Sequence, residues 1–284
     1  MGSRIKSMIL LFLLSILLVL VGSFFGKQGA VIAFVIALGM NWIAYFFGDK
    51  VVLATSRARE VKPGEYSRLT SMLQELSMSA GIPVPRLYII PSPSPNAFAT
   101  GRDPRHASVA VTEGIMNLLN EQELKGVLAH ELSHVKNRDI LLATIAATIA
   151  SAVTMLARMI QWAAIFGGGR DSEGRGGNIL SLAGVMAMVI LAPLAATLLQ
   201  LALSRSREYL ADESGARICG NPLFLSGALR KLAKGVTAIP MQNANPSISP
   251  LYIVNPFSGR SFANIFSTHP PLEERIKKLE QLGF

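Results

Sequence analysis

Four apolar stretches limit what this chain can fold into, because each has to be buried in protein or in lipid. Residues 8–25 carry no charge, residues 29–47 follow after a short Gly/Lys/Gln turn, and residues 140–166 and 178–203 form a second pair. Each stretch is near the roughly 20 residues that cross a hydrocarbon core about 30 Å thick. Half of the 284 residues are hydrophobic and only 16% are charged, against about 25% charged in soluble globular domains. The expectation is an integral membrane protein with about four transmembrane helices. The second pair is rich in Ala and Gly and carries Arg158 and Pro193. It reads as two spans, with Arg158 snorkelling towards the interface, or as a helical hairpin packed inside a soluble core. Residues 8–25 do not fit a signal peptide: the run is long, no small-residue cleavage site follows, and another span begins at once. Position 6 holds Lys6 and not Ser or Thr, so the myristoylation pattern is absent too.

The net charge of +9 would suit nucleic acid if it were pooled in one patch, but it flanks the apolar stretches instead. Arg4 and Lys6 precede the first, and Lys50, Arg57, Arg59 and Lys62 follow the second. Lys136 and Arg138 precede the third, and Arg205 and Arg207 follow the fourth. Between the third and fourth, Arg170 and Arg175 are balanced by Asp171 and Glu173. Lysine and arginine mark cytoplasmic flanks. Both termini and the polar segments are therefore expected in the cytosol, against the lipid bilayer and with no nucleic-acid partner. Residues 167–177 are Gly-rich but lack Gly-Lys-Ser/Thr, and read as a hairpin connection instead of a phosphate cradle. Cys219 is the single cysteine, which excludes an intrachain disulfide and suits a reducing compartment. It reads as a small core residue.

The polar segments have α+β character, mainly helical. Residues 63–80 read as a helix, with Pro63 in its first turn and Gly81 just past its end. Residues 86–90 and 106–111 read as short strands, and Ser92-Pro93-Ser94-Pro95 as a rigid connector. Asn120 followed by Glu123 is a capping box that starts the next helix, which is expected to continue towards the third apolar stretch. Four organisational units follow: 1–48 with two spans, 49–139 and 204–284 as two parts of one soluble domain, and 140–203 as a membrane hairpin.

The capped helix carries His130-Glu131-Leu132-Ser133-His134, an HExxH box in a chain with only four histidines. Two histidines four residues apart lie on one helix face, about 40° out of line. Both can reach one metal ion, with Glu131 placed as a general base, the arrangement of zinc metalloproteases. A hydrolytic zinc site takes three protein ligands and keeps one open position. The scheme with a third histidine downstream fails, because Asn137 and Ile140 stand where glycine and histidine would be needed. His106, His269 and a distant acid remain. Glu208 is the best of these: it follows the fourth apolar stretch on the same side as the HExxH helix, and Asp212 lies four residues on. On one helical face with Glu208, Asp212 can accept a hydrogen bond from a ligating histidine and fix its tautomer. Arg207 and Tyr209 point roughly 100° to either side of Glu208 and read as structural; His106 reads as a core or surface histidine.

HELSH, then a hydrophobic hairpin, then SRSREYLADESGA resembles the HtpX-type membrane zinc endopeptidases, gluzincins with HExxH and a downstream glutamate ligand. The likeness covers essentially the whole chain. It implies one zinc ion per chain and a cytosol-facing protease of the cell (inner) membrane, serving membrane-protein quality control in the stress response. Its implied partners are unfolded or damaged membrane proteins, often itself, with membrane regulators or other quality-control proteases. Asn96, Ala97, Phe98 and Ala99 look like the edge strand along which such enzymes align an extended peptide; from the residues alone they equally suit a core-facing strand tip. His269 before Pro270, and Arg275 six residues later, match positions that help stabilise the transition state in related prenyl-protein proteases. Readings from other classes are a zinc-binding membrane scaffold without proteolysis and a transporter; Arg158 is the one ionisable residue within the spans that would favour the latter. A prenyl-protein protease would need more spans than four to enclose its chamber.

Overall fold

The computed structural model describes residues 3–23, 26–152, 205–241, 245, 248–256 and 270–283. Two helices come first, α1 (Ser3–Ser23) and α2 (Gly26–Thr55). They form a hairpin, tied where Asn41 Nδ2 donates to Ser15 Oγ at 2.8 Å. Their apolar residues do not gather on one stripe facing protein: Val31, Ile32, Val35 and Trp42 are each 60% exposed or more. An exposed apolar surface of this kind suits contact with lipid or with another protein. Among the described residues, α2 is the one helix long and apolar enough to cross a membrane. Of the third apolar stretch, a helix over Ile140–Ala152 (α6 below) is described. The rest of that stretch, residues 167–177 and the fourth stretch at 178–203 lie outside the described residues.

The remaining elements make a mainly helical α+β unit around a small mixed sheet. Strands β1 (Arg59–Glu60), β2 (Arg86–Ile90), β3 (Ala97–Gly101) and β4 (Ala107–Thr112) stand in the order β1-β2-β4-β3. β2 and β4 run parallel, and β3 pairs antiparallel with β4 alone, so it is one edge of the sheet, with β1 the other. Helices α3 (Ser67–Ala80), α4 (Glu113–Leu118), α5 (Glu121–Lys136), α6 (Ile140–Ala152), α7 (Arg205–Cys219), α8 (Pro222–Ala238) and α9 (Leu272–Glu280) complete the described elements. The strands expected at 86–90 and 106–111 are present, the second shifted by one residue because His106 closes a 3-10 turn. Helix α3 begins later than Pro63: Gly64 at φ 88° and Tyr66 at φ 47° hold the chain in a turn first.

Helix α5 is the centre of the unit. Its capping box is formed in both directions, Glu123 N–H to Asn120 Oδ1 and Asn120 N–H to Glu123 Oε2, each at 2.9 Å. Val127, Leu128, Leu132 and Val135 have no exposed surface and pack with α3, α8 and the sheet. It does not run on into the apolar helix. Arg138 takes a left-handed conformation, φ 60°, and α6 starts afresh at Ile140. The apolar helices are nevertheless part of the same core: Val52 and Leu53 of α2 and Ala143 and Ala147 of α6 cluster with Tyr88, Ile90 and Phe98 of the sheet.

Glycine lets α5 be crowded on two sides. A Cβ at Gly126 would lie 2.5 Å from the backbone nitrogen of Leu225 in α8. Gly126→Ala must therefore force α5 and α8 apart, at a cost of about 1–3 kcal/mol. The expected result is a lower thermal midpoint for the detergent-solubilised protein. Gly39→Ala, where the new methyl meets nothing within 4 Å, should not lower it.

Candidate metal centre

α5 presents His130 and His134 on one face, their rings perpendicular with centroids 4.8 Å apart. α7 crosses that face closely enough to place Glu208 between them. His130 Nε2 lies 3.8 Å from Glu208 Oε2, and His134 Nε2 lies 3.6 Å from Glu208 Oε1. The three candidate ligand atoms all fall within 4.8 Å of one another. Two imidazoles and a carboxylate at this spacing are a donor set that fits one divalent first-row ion. Glu131, between the histidines in sequence, is 2% exposed.

The closeness of α7 depends on small groups. A Cβ at Gly215 would lie 2.9 Å from both N and Cα of His130. Ser133 Oγ bridges the two helices, donating to the His130 carbonyl (2.6 Å) and within 3.1 Å of the Ala211 carbonyl.

Asp212, one turn beyond Glu208, has Oδ1 3.0 Å from His130 Nδ1. Arg275 lies under it, fully buried, and donates from Nε to Oδ2 (2.9 Å) and from Nη2 to Oδ1 (2.7 Å). Its Nη1 donates to the Ile253 carbonyl at 3.3 Å and lies 3.8 Å from Glu208 Oε2. The guanidinium expected at the reacting carbonyl is thus engaged below the carboxylates, where it supports Asp212. His269, the other residue given that role, lies outside the described residues.

Charges set the proton positions before any ion binds. Burial works against a charge on Asp212, but the Arg275 guanidinium and the bond to His130 outweigh it and hold the carboxyl below its ordinary range. Burial pushes His130 down to about 4, despite Asp212, so its ring is neutral. Burial also opposes a charge on His134, yet Asp139, Glu208 and Glu131 together raise it to about 9.

Asp139 was missed in the sequence. It follows the left-handed Arg138, its N–H donates to the His134 carbonyl (3.0 Å), and its Oδ2 lies 3.7 Å from His134 Nδ1. Arg207 Nη1 stands 3.6 Å from the other oxygen of Asp139. A carboxylate five residues past the second histidine is a weak signal unless the helix is known to break between them. Tyr209 is likewise structural: its hydroxyl donates to Glu274 (2.7 Å) and Lys278 Nζ sits 3.3 Å from its ring centre. His106 is half exposed and paired with Asp103 and Arg102, outside the group of ligand atoms. Cys219 is half buried and its thiol is pushed up by that burial. Asn96 is fully buried just before β3, and Ala97, Phe98 and Ala99 lie in the edge strand.

A profile of peptidase family M48 matches residues 63–282. A protein of Syntrophobacter fumaroxidans described as a Protease HtpX homolog is 53% identical over 285 residues, spanning 99% of this chain and 100% of its own. One of Pyrococcus furiosus with the same description is 49% identical over 283 residues, spanning 99% and 96%. Among solved structures, that of S. mikatae Ste24p is 21% identical with a TM-score of 0.45, over 85% of this chain and 58% of its own.

Metals take histidine only as the neutral ring. With His134 raised to about 9, the ion-free protein carries a proton there at pH 7, and loading must displace it. His130 has none to give. We expect about one proton released per divalent ion bound at pH 7, measured calorimetrically in buffers of different ionisation enthalpy. Affinity should rise with pH until His134 is neutral and then level off.

Proposed function

The chain belongs to peptidase family M48 and is a membrane metalloprotease; on that premise we propose that it is a zinc endopeptidase acting on misfolded or damaged membrane proteins at the cytosolic face, itself among them. The observation that carries this reading is the convergence of His130, His134 and Glu208 within 4.8 Å, beside the buried Glu131.

His130, His134 and Glu208 would hold one zinc ion, which when bound supplies a Lewis acid beside the scissile carbonyl. Glu131 takes a proton from the attacking water and later delivers it to the leaving amine. Asp212 Oδ1, 3.0 Å from Nδ1 of His130, would take that N–H and so leave Nε2 bare as the ligand atom. Arg275 positions Asp212. His269 is assigned the second donor to the developing oxyanion, a role typically worth about 3–4 kcal/mol. The substrate main chain adds to the edge of β3 that β4 leaves unpaired, through outward N–H and C=O groups able to pair with an extended peptide. Four spans, α1, α2 and two at 140–166 and 178–203, would anchor the enzyme with both termini in the cytosol. Membrane regulators and other quality-control proteases are its proposed partners there.

Replacing Glu131 with Gln should abolish cleavage, of a membrane-protein substrate and of the enzyme itself, while zinc content by elemental analysis stays near the unaltered value. Persisting proteolysis would remove Glu131 from the chemistry. Glu208→Ala should lower zinc content sharply; full occupancy in that variant would reject Glu208 as the third ligand.

A further inference from the structure

The free edge of β3 is shorter than the strand that carries it. Phe98 faces Ala110, and the Thr112 N–H donates to the Asn96 carbonyl at 2.9 Å. This register turns the main chain of residues 96, 98 and 100 towards β4, and that of 97, 99 and 101 outward. Two of the three outward positions are already engaged.

At Ala97 the carbonyl accepts from the Ile253 N–H at 3.0 Å, and the N–H contacts Asn96 Oδ1 at 3.2 Å. Asn96 locks the same segment from beside it: Nδ2 donates to the Val254 carbonyl (2.7 Å) and Oδ1 accepts from the Val254 N–H (3.3 Å). At Gly101 the N–H donates to Thr144 Oγ1 of α6 at 3.1 Å, and that hydroxyl is 3.4 Å from the Gly101 carbonyl. Among the described residues nothing bonds the outward N–H and C=O of Ala99, whose side chain packs in the core.

The segment over residues 252–254 is built in. Tyr252 and Ile253 are each 1% exposed. The Tyr252 ring stands edge-on to Phe98 with centroids 5.3 Å apart, and the Ile253 carbonyl accepts from Arg275. Peeling it away would leave a fully buried guanidinium short of a partner under the metal centre, at substantial cost. It also shows that an outward carbonyl of this edge can accept from another stretch of main chain.

We propose that residues 252–254 and the Thr144 hydroxyl confine strand addition to one position, Ala99, so that the enzyme grips a single residue of the substrate main chain. The inference rests on β3 being the substrate edge. An enzyme with a one-residue grip selects segments able to extend locally, such as short loops between spans, and has no need of a long unfolded stretch.

The test uses the zinc-loaded full-length enzyme in detergent and a synthetic peptide cleaved at one mapped bond. Residues away from the scissile bond are N-methylated one at a time, which removes one N–H donor each. One position should lower kcat/KM about tenfold or more, and residues two before and two after it should change by less than about threefold. Two or more alternating sensitive positions would overturn the proposal. Cleavage indifferent to methylation at every position would instead sink β3 as the substrate edge and leave the peptidase reading standing.

Discussion

The contact between α5 and α7 at Gly215 is the constraint on which the metal centre depends. A carboxylate can meet two imidazoles from a neighbouring helix only if the helix backbones nearly touch, and a Cβ at 215 would stand 2.9 Å from the His130 backbone. Any larger residue moves Glu208 outward with its helix. Ser133 meets the same crossing from the other helix, its Oγ 3.1 Å from the Ala211 carbonyl. The ligand triangle is therefore a consequence of backbone packing, and the ligand side chains merely occupy what the crossing offers.

Charge explains why so distant a helix as α9 belongs to the site. Glu131, Glu208 and Asp212 are all at most 4% exposed, and three carboxylates buried together would neutralise or unfold the centre unless something answered them. Arg275 answers two: a bidentate pair with Asp212 and a position 3.8 Å from Glu208. Removing one partner of such a buried pair typically costs about 3–5 kcal/mol, mostly from the charge left behind. The outer contacts of α9, Glu274 with Tyr209 and Lys278 over its ring, secure the helix that delivers the guanidinium. An arginine suits this task better than lysine because its fork meets both carboxylate oxygens at once.

What was legible in the sequence is what short-range periodicity encodes. HExxH puts two histidines on one face whatever the fold, ExxxD does the same for Glu208 and Asp212, and Asn120 with Glu123 fixes the start of α5 within a residue. The strand at 86–90 showed as a short apolar run, and the one at 107–112 was legible to within one residue, as 106–111. What stayed hidden depends on pairs far apart in the chain. No local pattern says that Arg275 turns inward to Asp212, 63 residues away, or that Val254 docks on Asn96, 158 residues away. Helix α8 was not singled out, although Asn221 caps it and Pro222 follows at its first position. The break at Arg138 was hidden because a non-glycine residue in the left-handed region has no sequence signature, and with it went the approach of Asp139 to His134.

That break also governs how the site is joined to the apolar helices. A continuous helix from α5 into α6 would have carried Asp139 around the helix and away from His134. Instead the chain turns, Asp139 folds back towards the imidazole and Arg207, and the apolar helix starts one residue later. α6 then does two further things: Thr144 bonds the end of β3, and Thr148 reaches the Gly48 carbonyl of α2 at 3.4 Å. The small Gly48 is what lets those helices meet, since a Cβ there would lie 2.9 Å from Thr148 Oγ1, a pattern common where apolar helices pack through small residues. With Val52 and Leu53 of α2 also packed under the sheet, the edge strand, a ligand helix and two apolar helices share one hydrogen-bonded, close-packed body. The catalytic unit is therefore not tethered to its anchor by a linker. The contacts that hold the edge strand in register also hold the catalytic unit against α2.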